Sequence, residues 1–352
     1  MILNQAVGSG MAILYQISLN LDRSMRVVVA YQFGLATLCM LPLALIVDKG
    51  KRPPFTWQIA LCSLLAGFFG GALGQNLVVE GFRGASTTYV AAISNLTPVV
   101  TYILALVSGL TVIVKFLLIF SFIQEVFSLA TWPKIAKLGG PILSIFGAMF
   151  MTFYHGPTYH WHTSINLLNH KNGAMVTTEQ KPVVSVVVIC TSCFSFAVLL
   201  IILRKMTVKY AYPVISSTGL MFVNSFVLSG GYALIIDRNL HAWQLRKDIL
   251  LITIPYTGVL VSGVSTTLVT LCTQHQGPVF VTSFSPVSLI FTSILSPLLL
   301  GEDPHLGNIL GGLMIIGGAY ISVWGTRAEM QLTRSAPDAD EEVVGGIRRD
   351  VL

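Results

Sequence analysis

Charge is scarce in this sequence. Asp, Glu, Lys and Arg together make up 10% of its 352 residues, where a soluble domain carries about a quarter. That is too little to coat a water-facing surface, so a large soluble fold is excluded. Lys and Arg exceed Asp and Glu by 6, but they are scattered between apolar runs and form no basic stripe with interleaved aromatics, which argues against a nucleic-acid partner. A disulfide framework is also missing. The five cysteines, Cys39, Cys62, Cys190, Cys193 and Cys272, all fall inside apolar runs, and the Cys190-x-x-Cys193 pair has no His or acidic neighbour to suit redox or metal chemistry. The sequence carries no nucleotide-binding glycine loop, no protease or kinase motif, and no Ser/His/Asp set with a common locus. No enzyme and no cofactor are therefore expected. His155, His160, His162 and His170 lack the Cys or acidic company of a metal site, so no metal is expected either. A basic leading segment is absent too, and Met1 to Leu19 reads as a retained helix, polar for a span because of Asn4, Gln5, Ser9 and Gln16.

What is abundant is apolar length. Hydrophobic residues make up 54% of the chain and fall into runs of roughly 20, the length of helix that crosses hydrocarbon. The runs predict helices over 2–19, 27–47, 57–79, 87–110, 138–154, 183–203, 213–236, 249–272, 278–300 and 306–325. They are too long and too uniformly apolar for barrel strands, and an open sheet cannot face lipid. The expected fold class is an all-α polytopic membrane protein with about ten transmembrane helices in a lipid bilayer. With the N-terminus inside, twelve Lys and Arg fall on inner loops and eight on outer ones, the bias that places both termini in the cytosol.

Thr111 to Ala130 disturbs this pattern. It is apolar but carries Lys115 and Glu125, and its uncharged core, Phe116 to Gln124, is too short to cross. As an eleventh span it would reverse the count to nine inside against twelve outside. It reads instead as an extended or interfacial segment.

The halves of the chain repeat. Ser94-Asn95-Leu96-Thr97-Pro98-Val99 lines up with Thr282-Ser283-Phe284-Ser285-Pro286-Val287 at an offset of 188, and Val47-Asp48-Lys49 with Ile236-Asp237-Arg238 at 189. For the fifth and tenth helices, Leu138-Gly139 against Leu306-Gly307 gives only 168. The surplus of about twenty residues in the first copy falls on 111–130, either an insertion or a gene-model artefact. The domain plan is thus a first repeat over 1–156, an extramembrane loop over 157–182, a second repeat over 183–325 and a polar, disordered cytosolic tail over 326–352. Five helices per copy is odd, so the second copy crosses in the opposite sense. Such inverted repeats hold a solute site near the midplane and expose it alternately to the two sides.

Several stretches carry a family resemblance. They are Tyr31-Gln32 with Ala36-Thr37, Lys51-Arg52-Pro53, Gln75-Asn76, Ser94-Asn95-Leu96-Thr97-Pro98, Thr131-Trp132-Pro133-Lys134, Tyr154-His155-Gly156-Pro157, Ala242-Trp243, Gly277-Pro278-Val279-Phe280-Val281 and Leu300-Gly301-Glu302. In order and spacing they resemble the plant drug/metabolite transporters with EamA repeats, the nodulin-like, Walls-Are-Thin-related or UMAMIT branch. The resemblance implies two inverted five-helix EamA-type repeats and carriage of amino acids, auxin or related metabolites across the plasma or vacuolar membrane. Ser265-Thr266-Thr267 and His275-Gln276 depart from the family pattern.

Polar side chains within spans mark candidate substrate-binding positions, because hydrocarbon tolerates them only when paired or facing a wet cavity. Gln75, Asn76 and Glu80 stand out in the third helix, with Asn76 and Glu80 on one face and Glu80 the candidate for proton coupling. Asn95 and Thr97 beside Pro98, and Ser283 and Ser285 beside Pro286, occupy matching positions in the two repeats. Each proline breaks its helix and frees a carbonyl, that of Ser94 or Thr282, for a side chain, water or solute. The expected partner is a small-molecule solute; a homo-oligomer stays open. The competing reading is a non-transporting scaffold or receptor, or a variant inactivated by its insertion. Ten spans put both termini on one side of the membrane. Tags at the two ends are therefore expected to share one accessibility in intact cells, with or without 111–130; opposite accessibility of the full chain would establish an eleventh span.

Overall fold

A computed structural model describes residues 1–21, 24–84, 87–108, 182–238, 243–244 and 249–300, with single positions within 139–154 and 310–328. The surplus stretch 111–130 and nearly all of the 157–182 loop and the 326–352 tail lie outside the described residues. So does nearly half of the fifth and tenth predicted helices. Among the described residues the regular structure is entirely helical.

The first repeat supplies α1 (Ile2–Asn20), α2 (Met25–Val47), α3 (Trp57–Gly84), α4 (Thr87–Ser94) and α5 (Thr97–Ser108). The second supplies α6 (Pro182–Arg204), α7 (Val214–Ile236), α8 (Leu250–Gln276), α9 (Pro278–Thr282) and α10 (Ser285–Leu300). The predicted fourth span is thus the broken pair α4 and α5, and the ninth is α9 and α10. Six helices among the described residues are long and apolar enough to cross a membrane. A 23-residue helix such as α2 spans about 35 Å at 1.5 Å per residue, enough for the hydrocarbon layer.

The helices pair as a two-fold relation requires. α2 packs along α7. Around that pair, α3 meets α7 as α8 meets α2, α3 meets α6 as α8 meets α1, and α10 meets α1 as α4 and α5 meet α6. The irregular backbone repeats as well. Wide, π-helical turns run over Gly67–Leu73 in α3 and Tyr256–Ser265 in α8, starting 189 residues apart. The breaks at Asn95–Leu96 and Ser283–Phe284 lie 188 residues apart. These are the offsets of the sequence repeat.

Aspartates close both ends of the α2–α7 pair. At the C-terminal end of α2, Asp48 is buried and its Oδ2 accepts from the Ser216 backbone N–H at 2.9 Å and from the Ser216 hydroxyl at 2.6 Å. Ser216 lies in the first turn of α7, whose N-cap is Pro213, a residue with no side-chain acceptor. Asp48 therefore does from a neighbouring helix what an N-cap residue does locally, accepting an orphan N–H at the positive end of the helix dipole. Arg52 Nε donates to the Ser216 hydroxyl at 3.0 Å. At the other end the roles exchange: Ser24, the N-cap of α2, donates to Asp237 Oδ2 at 2.5 Å, and Arg26 lies 3.6 Å from Asp237 Oδ1. Each helix thus ends where the other begins, so α2 and α7 are antiparallel, as an inverted repeat demands.

Between the clamps, Phe33 stacks on Phe222 at 6.3 Å, and Gly67 and Gly71 let α3 close on α7. A Cβ on Gly71 would stand 2.3 Å from Ser225 Cβ and 3.0 Å from Ser225 Cα, too near for any side chain. Asp48→Ala strands a buried N–H and is expected to remove about 1–3 kcal/mol, read as a lower melting temperature in detergent. Asp237→Ala is expected to cost less, its side chain being 19% exposed.

Candidate functional site

Between the repeats lies a cavity of about 280 Å³. Its wall takes Gln5, Ser9 and Met11 from α1, Gln75 from α3, Ser94 and Thr97 from the two sides of the first break, Ser192 from α6, and Ser285, Ser288 and Thr292 from α10. Helical periodicity explains the grouping: 285, 288 and 292 are i, i+3 and i+7 and share one face, as do 5 and 9 on α1. Gly70, Gly74, Phe69 and Phe82 of α3, Thr87 of α4, and Cys193 and Phe196 of α6 line it as well. No carboxylate, Lys, Arg or His belongs to the described wall. It is mostly apolar, with uncharged polar groups set into it, suited to holding a solute by hydrogen bonds and apolar contact.

Three of the sequence candidates meet here. Gln75, Thr97 and Ser285 line the cavity from α3, α5 and α10, so both repeats contribute. Asn95 sits in the turn between α4 and α5, buried at 3% exposure, and neither its Oδ1 nor its Nδ2 has a partner. Ser283, in the turn between α9 and α10, donates to the Val279 carbonyl at 2.9 Å and is not part of the wall. Pro98 and Pro286 are each the second residue of a half-helix, α5 and α10, where a missing N–H does no harm. The carbonyl freed at Ser94 is taken by the Thr97 hydroxyl at 2.5 Å.

Asn76 and Glu80 do share a helix face, but it is the far one. With Arg26, Phe68 and Tyr232 they border a separate crevice of about 430 Å³ between α3 and α7. Asn76 Nδ2 donates to the Ala72 carbonyl at 2.7 Å. Glu80 is half-exposed and pairs with Arg83 at 3.1 Å. The 100° step from Gln75 to Asn76 is enough to divide neighbours between the two hollows.

Behind Gln75 runs a buried polar chain that crosses four helices. Gln75 Nε2 donates to the Tyr15 hydroxyl at 3.0 Å, Tyr15 donates to Gln32 Oε1, and Gln32 Nε2 donates to the Ser262 hydroxyl at 2.8 Å. Tyr15 is fully buried and Gln32 is 2% exposed. Sequence reasoning did not single out Tyr15 or Ser262 and met Gln32 only within a family motif. The available signal was an amide in the uncharged middle of α2, since a buried amide needs partners from other helices. The Cys190 and Cys193 thiols are free, and Cys193 packs beside the Ile93 carbonyl just before the first break.

Comparison with known proteins gives this geometry a lineage. The model of the EamA-like transporter family matches residues 2–109 and 183–324. One WAT1-related protein of Arabidopsis thaliana is 33% identical over 345 residues, covering 97% of this chain and 92% of its own. A second is 29% identical over 344 residues with the same coverage, and a third 31% identical over 320 residues, covering 90% of this chain and 82% of its own. A solved crystal structure superimposes with a TM-score of 0.60 at 11% identity, over 92% of this chain and 97% of that one, a likeness of fold. Matched breaks, paired wide turns, a cavity between inverted halves and a family match over most of the chain lead to one conclusion: this is an integral, multi-pass membrane protein that belongs to the EamA-like transporter family, among its plant WAT1-related members.

Proposed function

We propose that this transporter is a secondary carrier working by alternating access on a small organic solute, such as an amino acid, auxin or a related metabolite. The carrying observation is the uncharged cavity built by both repeats and bordered by the break between α4 and α5 and the start of α10. Rocking one repeat against the other about such a site opens it to one side and then the other. Gln75, Thr97 and Ser285 are the wall residues proposed to touch the solute, with Asn95 and Ser283 at the breaks. The charge count supports cytosolic termini, and the resemblance supports the plasma or vacuolar membrane as its place. An uncharged wall disfavours phosphorylated solutes, which need Lys or Arg to grip them.

Flux decides this. Liposomes carrying the purified chain are expected to move at least one labelled amino acid, or labelled auxin, saturably. Thr97→Val is expected to weaken the apparent affinity by up to about tenfold, the worth of one hydrogen bond. Absence of flux for every solute, with flux restored on removal of 111–130, would assign this form to the non-transporting reading. Glu80→Gln is expected to leave flux unchanged, because the half-exposed Glu80–Arg83 pair stands outside the cavity.

A further inference from the structure

Which end of a solute this cavity recognises can be read from where its protons go. Six hydroxyls of the wall already donate to backbone carbonyls: Ser9 to Gln5 and Ser288, Ser94 to Val90, Thr97 to Ser94, Ser192 to Ile189, Ser288 to Ser285, and Thr292 to Ser288, at 2.5 to 2.9 Å. A hydroxyl has one proton and two lone pairs. What these six present to the cavity is lone pairs.

The Gln75 amide is turned the same way. Gln32 Nε2 donates to Ser262, so Gln32 Oε1 faces Tyr15 and takes the Tyr15 proton. The Tyr15 oxygen then accepts from Gln75 Nε2 at 3.0 Å. Met11 Sδ, 3.6 Å from the same Nε2, is also an acceptor and opposes the flipped amide independently. Gln75 Oε1 is left without a partner among the described residues, as the atom free to meet a solute.

We infer that the cavity wall is an acceptor surface whose polarity is set by Tyr15, a positioning residue acting through Gln75, and that it selects the hydrogen-bond-donating end of its solute. Resting on the carrier reading, this ranks solutes bearing ammonium, N–H or hydroxyl groups above bare carboxylates within the classes proposed there. Among the described wall residues the side-chain donors left to a solute's acceptor groups are the Gln5 amide and the Ser285 hydroxyl, while the Thr87 hydroxyl shares a 3.1 Å contact with Ser296 in which either oxygen can donate.

Three probes of one carbon skeleton test the inference by calorimetric binding to the purified full chain: leucine, 3-methylbutylamine and 4-methylpentanoate. The wild type is expected to hold leucine and the amine about tenfold or more tighter than the acid, the discrimination of one or more hydrogen bonds. Gln75→Leu is expected to collapse that ratio. Tyr15→Phe, by freeing the amide to turn, is expected to shrink it, and adding Gln75→Glu, whose two oxygens need no orienting, is expected to restore it. A general loosening of the site would weaken all three probes without moving the ratio, so the ratio is the readout. Should Tyr15→Phe fail to fold, Gln75→Leu alone decides. Equal or tighter binding of the acid by the wild type, or an unchanged ratio in Gln75→Leu, overturns the inference and leaves the carrier reading standing. No binding of any probe overturns both for amino-acid-like solutes.

Discussion

The described helices are arranged around one antiparallel contact, that of α2 with α7, closed at each end by an aspartate from the partner helix. In hydrocarbon an unsatisfied backbone group is costly, and the first turn of every helix has N–H groups with no partner of their own. Asp48 answers that need for α7, and Asp237 binds the N-cap side chain of α2. The same bonds fix direction and register together. A slip by one turn would pull both carboxylates away from their serines, and with them the seat of α3 against α7 and of α8 against α2.

Irregular backbone is tolerated at membrane depth only against protein or a water-lined space, and both copies use it at corresponding places. The wide turns of α3 and α8 face their neighbours through small residues, Gly67 and Gly71 in one and Gly258 and Gly263 in the other. The full breaks fall in the fourth and ninth spans, and Ser94, Thr97 and Ser285 beside them line the cavity. Those two breaks border the cavity, whereas a further wide turn over Lys205–Lys209 lies away from it.

Much of this was legible in the chain. Runs of apolar residues located the helices to within a few positions, because hydrocarbon thickness sets helix length. The offset of 188 found both breaks, since a proline beside small polar residues interrupts a helix in either copy. Gln75, Thr97 and Ser285, which line the cavity, stood out because polar atoms in apolar helices need a reason. What the chain concealed was direction around a helix axis and partnership between helices. Nothing local separates Gln75 from Asn76, or shows that α3 runs on past residue 79 and carries Glu80 to a half-exposed pairing with Arg83. Tyr15 reads as an ordinary apolar-helix aromatic until Gln32 and Gln75, 17 and 60 residues away, are folded against it.

The two aspartate clamps are near-copies in structure, yet they cannot be equals in use. They stand at opposite ends of a membrane-spanning pair, so each lies toward a different face of the bilayer. Asp48 lies deep beside Arg52, while Asp237 is shallower beside Arg26. Turned over, the same clamp ends one face of the pair on a buried carboxylate and the other on a partly exposed one, so a fold that repeats itself still differs between its two faces.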